Sequence, residues 1–284
     1  MTASILDGKL VSSFIRKTLK QQVDQRAFES LRPPCLAVVL LGDDPASTIY
    51  VQNKRKACAE VGIQSAPYLL PTQTSEVELL TLLDELNHSG DIDGILVQLP
   101  LPSHICAANI IEHIHPDKDV DGFHPLNIGR LTQGNPQLRP CTPWGVMRLL
   151  QHYDLNVSGL SALVIGSSNI VGRPMALELL LAKATVTIAH RQTQNLETYV
   201  RQADLIVSAT GVSNLVDSDW LQPNQIIIDV GIHRTAANTI QGDIHFSTAQ
   251  DQVAWITPVP GGVGPMTVTM LLENTIRCWM NNVS

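Results

Sequence analysis

Tyr50 and Lys54 stand four residues apart in Tyr50-Val51-Gln52-Asn53-Lys54, just past the loop Gly42-Asp43-Asp44-Pro45-Ala46-Ser47. If Ser47 caps a helix there, the phenol and the amine share one face of it. Together they can position a planar substrate and move a proton, provided the amine is partly desolvated. A lone Tyr-x-x-x-Lys is more commonly a surface pair on an amphipathic helix, so the rest of the chain has to decide. Gln98 is a second unusual residue, an amide ending the apolar run Gly94-Ile95-Leu96-Val97 just before Leu99-Pro100-Leu101-Pro102. A buried amide left unsatisfied costs roughly 1–3 kcal/mol, and either a ligand at the strand end or neighbouring backbone would satisfy it. Between His115 and His124 lie Asp117, Asp119 and Asp121. They read either as a solvated turn or as a loop that aims one carboxylate at a donor-rich heterocycle.

The second half carries a different chemistry. A strand over Leu160 to Gly166 runs into Ser167-Ser168-Asn169-Ile170-Val171-Gly172-Arg173-Pro174 and a helix over Met175 to Ala182. Strand, glycine-bearing turn and helix are the parts of a dinucleotide site, where backbone N–H groups and the helix dipole hold a pyrophosphate. Only Gly166 and Gly172 of the full glycine pattern are present, so a plain α/β turn is also compatible. At the tip of the next strand stands His190-Arg191, where an NAD enzyme would place Asp or Glu. A guanidinium suits a 2′-phosphate, and the expectation is NADP, with Arg191 as its reader; the alternative is a plain surface cation. Further on come Thr210-Gly211, Val230-Gly231-Ile232 and the stiff, bare-backbone loop from Pro258 to Thr267, which could approach a flat ligand closely.

The elements that must position these groups follow from periodicity. A helix is expected over residues 4–30, a doubly buried strand over Leu36 to Leu41, and the Tyr50 helix from Ser47 to about Glu60, stopped by Gly62. Next come a strand over Ile63 to Leu70, a helix over Ser75 to Asn87, the Gln98 strand, and a helix over residues 105–114. Pro125 to Pro143 reads as a linker. A helix over Pro143 to Tyr153 and strands near 160–166, 184–190, 203–209, 225–232 and 254–259 follow, and a last helix over Thr267 to Met280 packs back on the first domain. The fold class is α/β in two domains with a cleft between them. Residues 1–121 form an N-terminal catalytic domain and 122–284 a Rossmann-like doubly wound dinucleotide domain.

The totals exclude other classes. At 284 residues, 44% hydrophobic and 16% charged, the chain suits two ordinary globular domains rather than a disordered segment. A net charge of −7, with Lys54-Arg55-Lys56 as its one basic run, argues against nucleic acid. The start lacks a signal-peptide pattern and no apolar run approaches the ~20 residues of a membrane span, so no membrane partner and a cytoplasmic location are expected. Five scattered cysteines without a Cys-x-x-Cys spacing signal neither disulfides nor zinc, and no metal is expected.

Taken in order, five blocks carry a resemblance. They are Tyr50 to Ala57, Gly94 to Pro102, Lys118 to Phe123, Val171 to Pro174 and Pro258 to Thr267. Over essentially its full length the chain resembles the bifunctional methylenetetrahydrofolate dehydrogenase/methenyltetrahydrofolate cyclohydrolase family in its stand-alone bacterial form. The resemblance implies NADP-dependent oxidation of 5,10-methylenetetrahydrofolate, then hydrolysis to 10-formyltetrahydrofolate, in one-carbon metabolism and purine biosynthesis, by a homodimer. It implies Lys54 as principal catalytic residue, Gln98 orienting it, Tyr50 stacking on the folate and Asp121 accepting from the pterin ring, with Pro260, Gly261 and Gly262 lining the folate site. Cofactor contacts would fall on Gly166, Ser167, Ser168, Val171, Gly172, Arg191, Gly211 and Ile232. Many relatives carry Arg where this chain has Ser167 and Ser where it has Arg191, which makes the reading of Arg191 more informative. In a short-chain dehydrogenase Tyr-x-x-x-Lys follows the glycine turn, whereas Tyr50 here precedes Gly166. Two further readings are a folate or nucleotide binder without activity and a dehydrogenase without the hydrolytic step. Lys54, Gln98 and Asp121 together argue against the binder, and Lys54 against the dehydrogenase acting alone.

Overall fold

The computed structural model describes residues 2–28, 32–234 and 239–282. The chain forms β1 (Ser4–Ile5), α1 (Gly8–Phe28), β2 (Cys35–Leu41), α2 (Pro45–Val61), β3 (Gln64–Leu70), α3 (Glu76–His88), β4 (Gly94–Val97), α4 (Ala107–His113), α5 (Pro125–Thr132) and α6 (Cys141–His152). It continues through β5 (Ser161–Ile165), α7 (Gly172–Leu181), β6 (Thr185–Ala189), α8 (Leu196–Gln202), β7 (Leu205–Ser208), β8 (Ile226–Asp229), β9 (His233–Arg234), β10 (Ile240–Gln241), α9 (Phe246–Ala249), β11 (Trp255–Ile256) and α10 (Val263–Asn282). Among the described residues, packing separates two units, one of residues 14–141 with 268–282 and one of 2–13 with 142–267.

In the first unit β2 is flanked by β3 and β4 in a parallel sheet. The chain passes from β2 through α2 to β3 on one side, then returns through α3 to β4 on the other. That reversal opens a crevice beyond the carboxyl ends of β2 and β4, where open α/β sheets take ligands. Ala37, Val39, Leu79, Leu83, Ile95 and Ile110 fill the core beneath. The cap of α2 is Asp44, not Ser47: its carboxyl accepts from Ser47 N at 2.7 Å, with Pro45 opening the first turn. Gly62 closes the helix at φ 84°. Ser75 caps α3 through reciprocal bonds with Glu78.

The expected linker from Pro125 to Pro143 is instead largely built structure. His124 Nδ1 accepts from Leu126 N at 3.0 Å, Pro125 starts α5, and Leu131 is buried. Residues 122–141 pack with the first unit, whose packing boundary falls at 141/142. The end of α10 belongs there too. Asn274 Nδ2 donates to Val120 O and Arg139 O at 2.8 and 2.9 Å, and the buried Trp279 donates to Arg32 O.

The second unit holds a six-stranded parallel sheet in the order β1-β11-β8-β7-β5-β6. Its first strand corrects the expected helix over residues 4–30. Ser4–Ile5 pairs with Trp255–Ile256, through Ser4 N to Ala254 O and Leu6 N to Ile256 O at 2.9 Å each. A strand of two residues is too short for a periodic pattern to register. Leu163, Ile165, Ile206, Ile227 and Ile256 form the core. From β5 the chain goes to β6 on one side and then back to β7 on the other, which places the switch point beyond β5 and β7. The last helix begins at Val263 rather than Thr267.

Candidate active site

In the first unit, α2 and β4 bring two of the candidate side chains into contact. Lys54 Nζ donates to Gln98 Oε1 at 3.0 Å. Gln98 is held from behind, its N donating to Val39 O at 2.9 Å and its Nε2 to Leu99 O at 2.6 Å. Its amide thus bonds neighbouring backbone and still presents its oxygen to the lysine. Tyr50 lies one turn before Lys54 on α2, is 39% exposed, and has no hydrogen-bonded partner among the described residues.

The aspartate loop separates into structural and available carboxylates. Asp119 is buried and accepts from Gly122 N, His124 N and Asn127 Nδ2 at 3.1, 2.8 and 2.9 Å. Lys118 is spent on Leu86 O and Ser89 O. Asp117 is exposed. Asp121 is half-buried, and its carboxyl accepts no hydrogen bond among the described residues. Burial pushes it from 3.8 up to about 6, the charge of Lys54 pulling the other way and that of Asp119 adding to the rise. A proton donor and acceptor pair beside an unmatched carboxyl can bind a heterocycle through its N–H groups and move a proton on the bound molecule.

The second unit holds a cavity of about 660 Å³ at its switch point. Gly166, Ser167 and Ser168 after β5, His190 and Arg191 after β6, and Thr210 after β7 line its polar side. Leu196, Leu215 and Trp220 line the apolar side. Two glycines make the turn possible. Gly166 has φ 118°, and a Cβ on it would lie 2.3 Å from Ala209 O; a Cβ on Gly172 would lie 2.0 Å from Gly166 O. Ser168 Oγ accepts from Val171 N and Gly172 N at 3.1 and 3.3 Å, tying the turn to the start of α7. Val171, Gly172 and Gly211 are therefore neighbours of the cavity rather than part of its lining, and Ile232, 50% exposed, lies outside that lining. An anion cradle of glycine backbone and hydroxyls, a cation at the second strand tip and an apolar slot fit a dinucleotide.

Pro260, Gly261 and Gly262 form a turn in this second unit. Gly261 has φ 118° and its carbonyl accepts from Lys9 N at 3.1 Å. The turn rests on Gly8, where a Cβ would come 1.8 Å from Gly262 O.

The model of the tetrahydrofolate dehydrogenase/cyclohydrolase catalytic domain matches residues 6–121, and that of the family's NAD(P)-binding domain matches residues 140–283. The chain belongs to this family. A curated relative from Legionella pneumophila (strain Paris), bifunctional protein FolD, is 60% identical over 97% of each chain. The crystal structure of the bifunctional enzyme FolD, methylenetetrahydrofolate dehydrogenase/cyclohydrolase, from Campylobacter jejuni is 49% identical. It covers 98% of this chain and 99% of its own, at TM-score 0.96. The Trypanosoma brucei dehydrogenase-cyclohydrolase, solved with NADP cofactor and inhibitor, is 36% identical. It covers 100% and 99% of the two chains at TM-score 0.95.

As a member with both family domains, the chain is a bifunctional enzyme. It oxidises 5,10-methylenetetrahydrofolate with a nicotinamide cofactor and hydrolyses the methenyl product to 10-formyltetrahydrofolate. Sequence reasoning noted Thr210 only as the neighbour of Gly211, and missed Trp220 in the cavity lining and Asp243, which holds Thr210 from behind. Neither Trp220 nor Asp243 sits in a motif whose spacing could have announced it.

Proposed function

We propose that the folate site is the crevice of the first unit, with Lys54 as the proton-moving residue and Gln98 as its orienting partner. Tyr50 stacks on the pterin and Asp121 accepts from its N–H groups. The observation that carries this reading is the Lys54 Nζ to Gln98 Oε1 bond of 3.0 Å beside a carboxyl that has no donor among the described residues. In the oxidation a bound nicotinamide would supply the electronic chemistry, taking a hydride from the methylene carbon. In the hydrolysis water adds to the methenyl carbon, the bond from that carbon to N5 opens, and one net proton is released. Lys54 takes the proton from water and returns it toward N5.

The cavity of the second unit takes NADP. Gly166, Ser167, Ser168, Val171 and Gly172 hold the pyrophosphate side, Gly211 and Ile232 flank the nicotinamide side, and Arg191 reads the 2′-phosphate. Arg191 is exposed at the tip of β6, in the lining of the cavity, and there is no acidic residue at that position. The enzyme works in the cytoplasm as a homodimer that associates through the second unit, and its product supplies formyl groups for purine biosynthesis. Support for the association is the free edge strand β6, with Ile188 41% and Leu180 59% exposed.

The test is to mix the enzyme with methylenetetrahydrofolate and either NADP⁺ or NAD⁺ and follow methenyl absorbance. It should rise and then decay, faster with NADP⁺. Tight folate binding with no reduced cofactor formed would refute the reading. A rise without decay would refute the hydrolytic role of Lys54.

A further inference from the structure

Behind the cofactor cavity lies a buried polar hub that the reaction itself does not use. Asp243, wholly buried and outside the cavity lining, accepts on one oxygen from Ser208 Oγ, Thr210 N and Thr210 Oγ1 at 2.9, 2.8 and 2.9 Å. Its other oxygen pairs with His233 Nε2 at 2.8 Å. Asp243 is itself fixed by Asp229, whose carboxyl accepts from Asp243 N, Ile244 N and Gly231 N at 3.0, 2.9 and 2.9 Å. The chain comes so close here that a Cβ on Gly231 would lie 2.0 Å from Asp243 Oδ1.

We propose that Asp243 is a positioning residue for the dehydrogenase half of the enzyme alone, setting the Ala209–Thr210 loop that forms one wall of the cofactor cavity. The route is short. Ala209 and Thr210 both line the cavity, and Ala209 O sits against the missing side chain of Gly166, on the turn that cradles the phosphates. Without Asp243 the Thr210 N–H and two hydroxyls lose their common acceptor inside the protein, so the loop must move to find others. Any such move presses on Gly166. Lys54, Gln98 and Asp121 belong to the other packing unit. The hydrolytic step, which uses no nicotinamide, is therefore spared.

The proposal rests on the reading of the 660 Å³ cavity as the NADP site. Its test uses the full chain with Asp243→Ala, Asp243→Asn and, as a separate probe of the cavity, Ser167→Trp. For Asp243→Ala the KM and Kd for NADP⁺ should rise about ten-fold or more, as expected when a buried donor loses its acceptor. Asp243→Asn keeps the volume but cannot accept on both sides, and its NADP⁺ KM should rise about three-fold. In both, kcat/KM for methenyltetrahydrofolate hydrolysis, measured without cofactor, should stay within about two-fold of the parent. Parallel loss of both activities in a folded Asp243→Asn would mark a merely structural role and overturn the proposal. So would NADP⁺ binding that is unchanged in the Asp243 variants while Ser167→Trp abolishes it. NADP⁺ binding that survives Ser167→Trp would overturn the cavity reading instead. If Asp243→Ala does not fold, Asp243→Asn decides.

Discussion

Asp121→Asn should make the protein more stable and the enzyme worse. Burial holds the Asp121 carboxyl at about 6 against an ordinary 3.8, with Lys54 opposing the rise and Asp119 adding to it. At ~1.4 kcal/mol per tenfold change in the proton equilibrium, that displacement corresponds to about 3 kcal/mol. The side chain is only half-buried, so solvent screening brings the expected effect to about 1–2 kcal/mol. The sign follows from the direction. A carboxyl raised in the folded state favours the folded protein when protonated, so its contribution is complete below 3.8 and is lost as pH rises through about 6. Above that window the parent carries the whole cost of a desolvated charge, and asparagine does not. Denaturant unfolding at about pH 8 should therefore show Asp121→Asn ahead by about 1–2 kcal/mol, the gain shrinking toward about pH 4. With Asp121 as the proposed pterin acceptor, catalysis should move the other way, since the loss of a charged acceptor is worth about 1.5–3 kcal/mol, roughly 10–100-fold in kcat/KM. In the parent, kcat/KM for the folate should climb with pH through about 6, and in the variant that limb should vanish. A variant that is less stable at high pH, or one that keeps the limb, would refute the reasoning.

Three other outcomes follow from the geometry. Lys54→Met should lower the cyclohydrolase kcat by about 10²–10⁴-fold with the fold intact by circular dichroism, the usual scale for a lost general acid–base; hydrolysis at the parent rate would remove Lys54 from the mechanism. Arg191→Ser should cut the NADP⁺ over NAD⁺ preference in kcat/KM by about ten-fold, the scale of one lost charge-assisted bond; an unchanged ratio would return Arg191 to the ordinary surface. Gly172→Ala drives a Cβ to 2.0 Å from Gly166 O. The turn must open, so dehydrogenase activity should fall by about ten-fold or more while hydrolysis persists, and equal losses in both assays would contradict the separation of the two sites.

The fold was legible where the pattern was long and local. Cys35–Leu41, buried almost throughout, reads as a parallel strand from its apolar run alone, and Gly62 and Ser75 mark helix ends by their chemistry. Short or non-local features were not. Ser4–Ile5 becomes a strand only because Trp255–Ile256 lies beside it, about 250 residues away in sequence, and no local period encodes such a pairing. Pro125 reads as a break until His124 supplies the cap that turns it into the first residue of α5. The division of the chain between its two units was hidden for the same reason. Residues 2–13 and the start of α10 join the nucleotide-binding half through β1, Gly8 and the Pro260 turn, contacts between chain ends.

The site poses a harder problem, since residue type alone does not tell a functional group from a structural one. Asp119 and Asp121 are two residues apart in the same loop, and Lys118 and Lys54 are both half-buried or more. What separates them is how many partners the fold provides. Asp119 has three donors and Lys118 two carbonyls, so neither has much capacity left for a ligand. Among the described residues Asp121 has no donor, and Lys54 has one neutral amide for its three N–H groups. Desolvating a charge without partners costs stability, so the two groups left short of them mark where a ligand's own donors and acceptors complete the set. Spacing places Lys54 one helical turn after Tyr50, but only the assembled loops reveal that Asp119 is fully provided for and Asp121 is not.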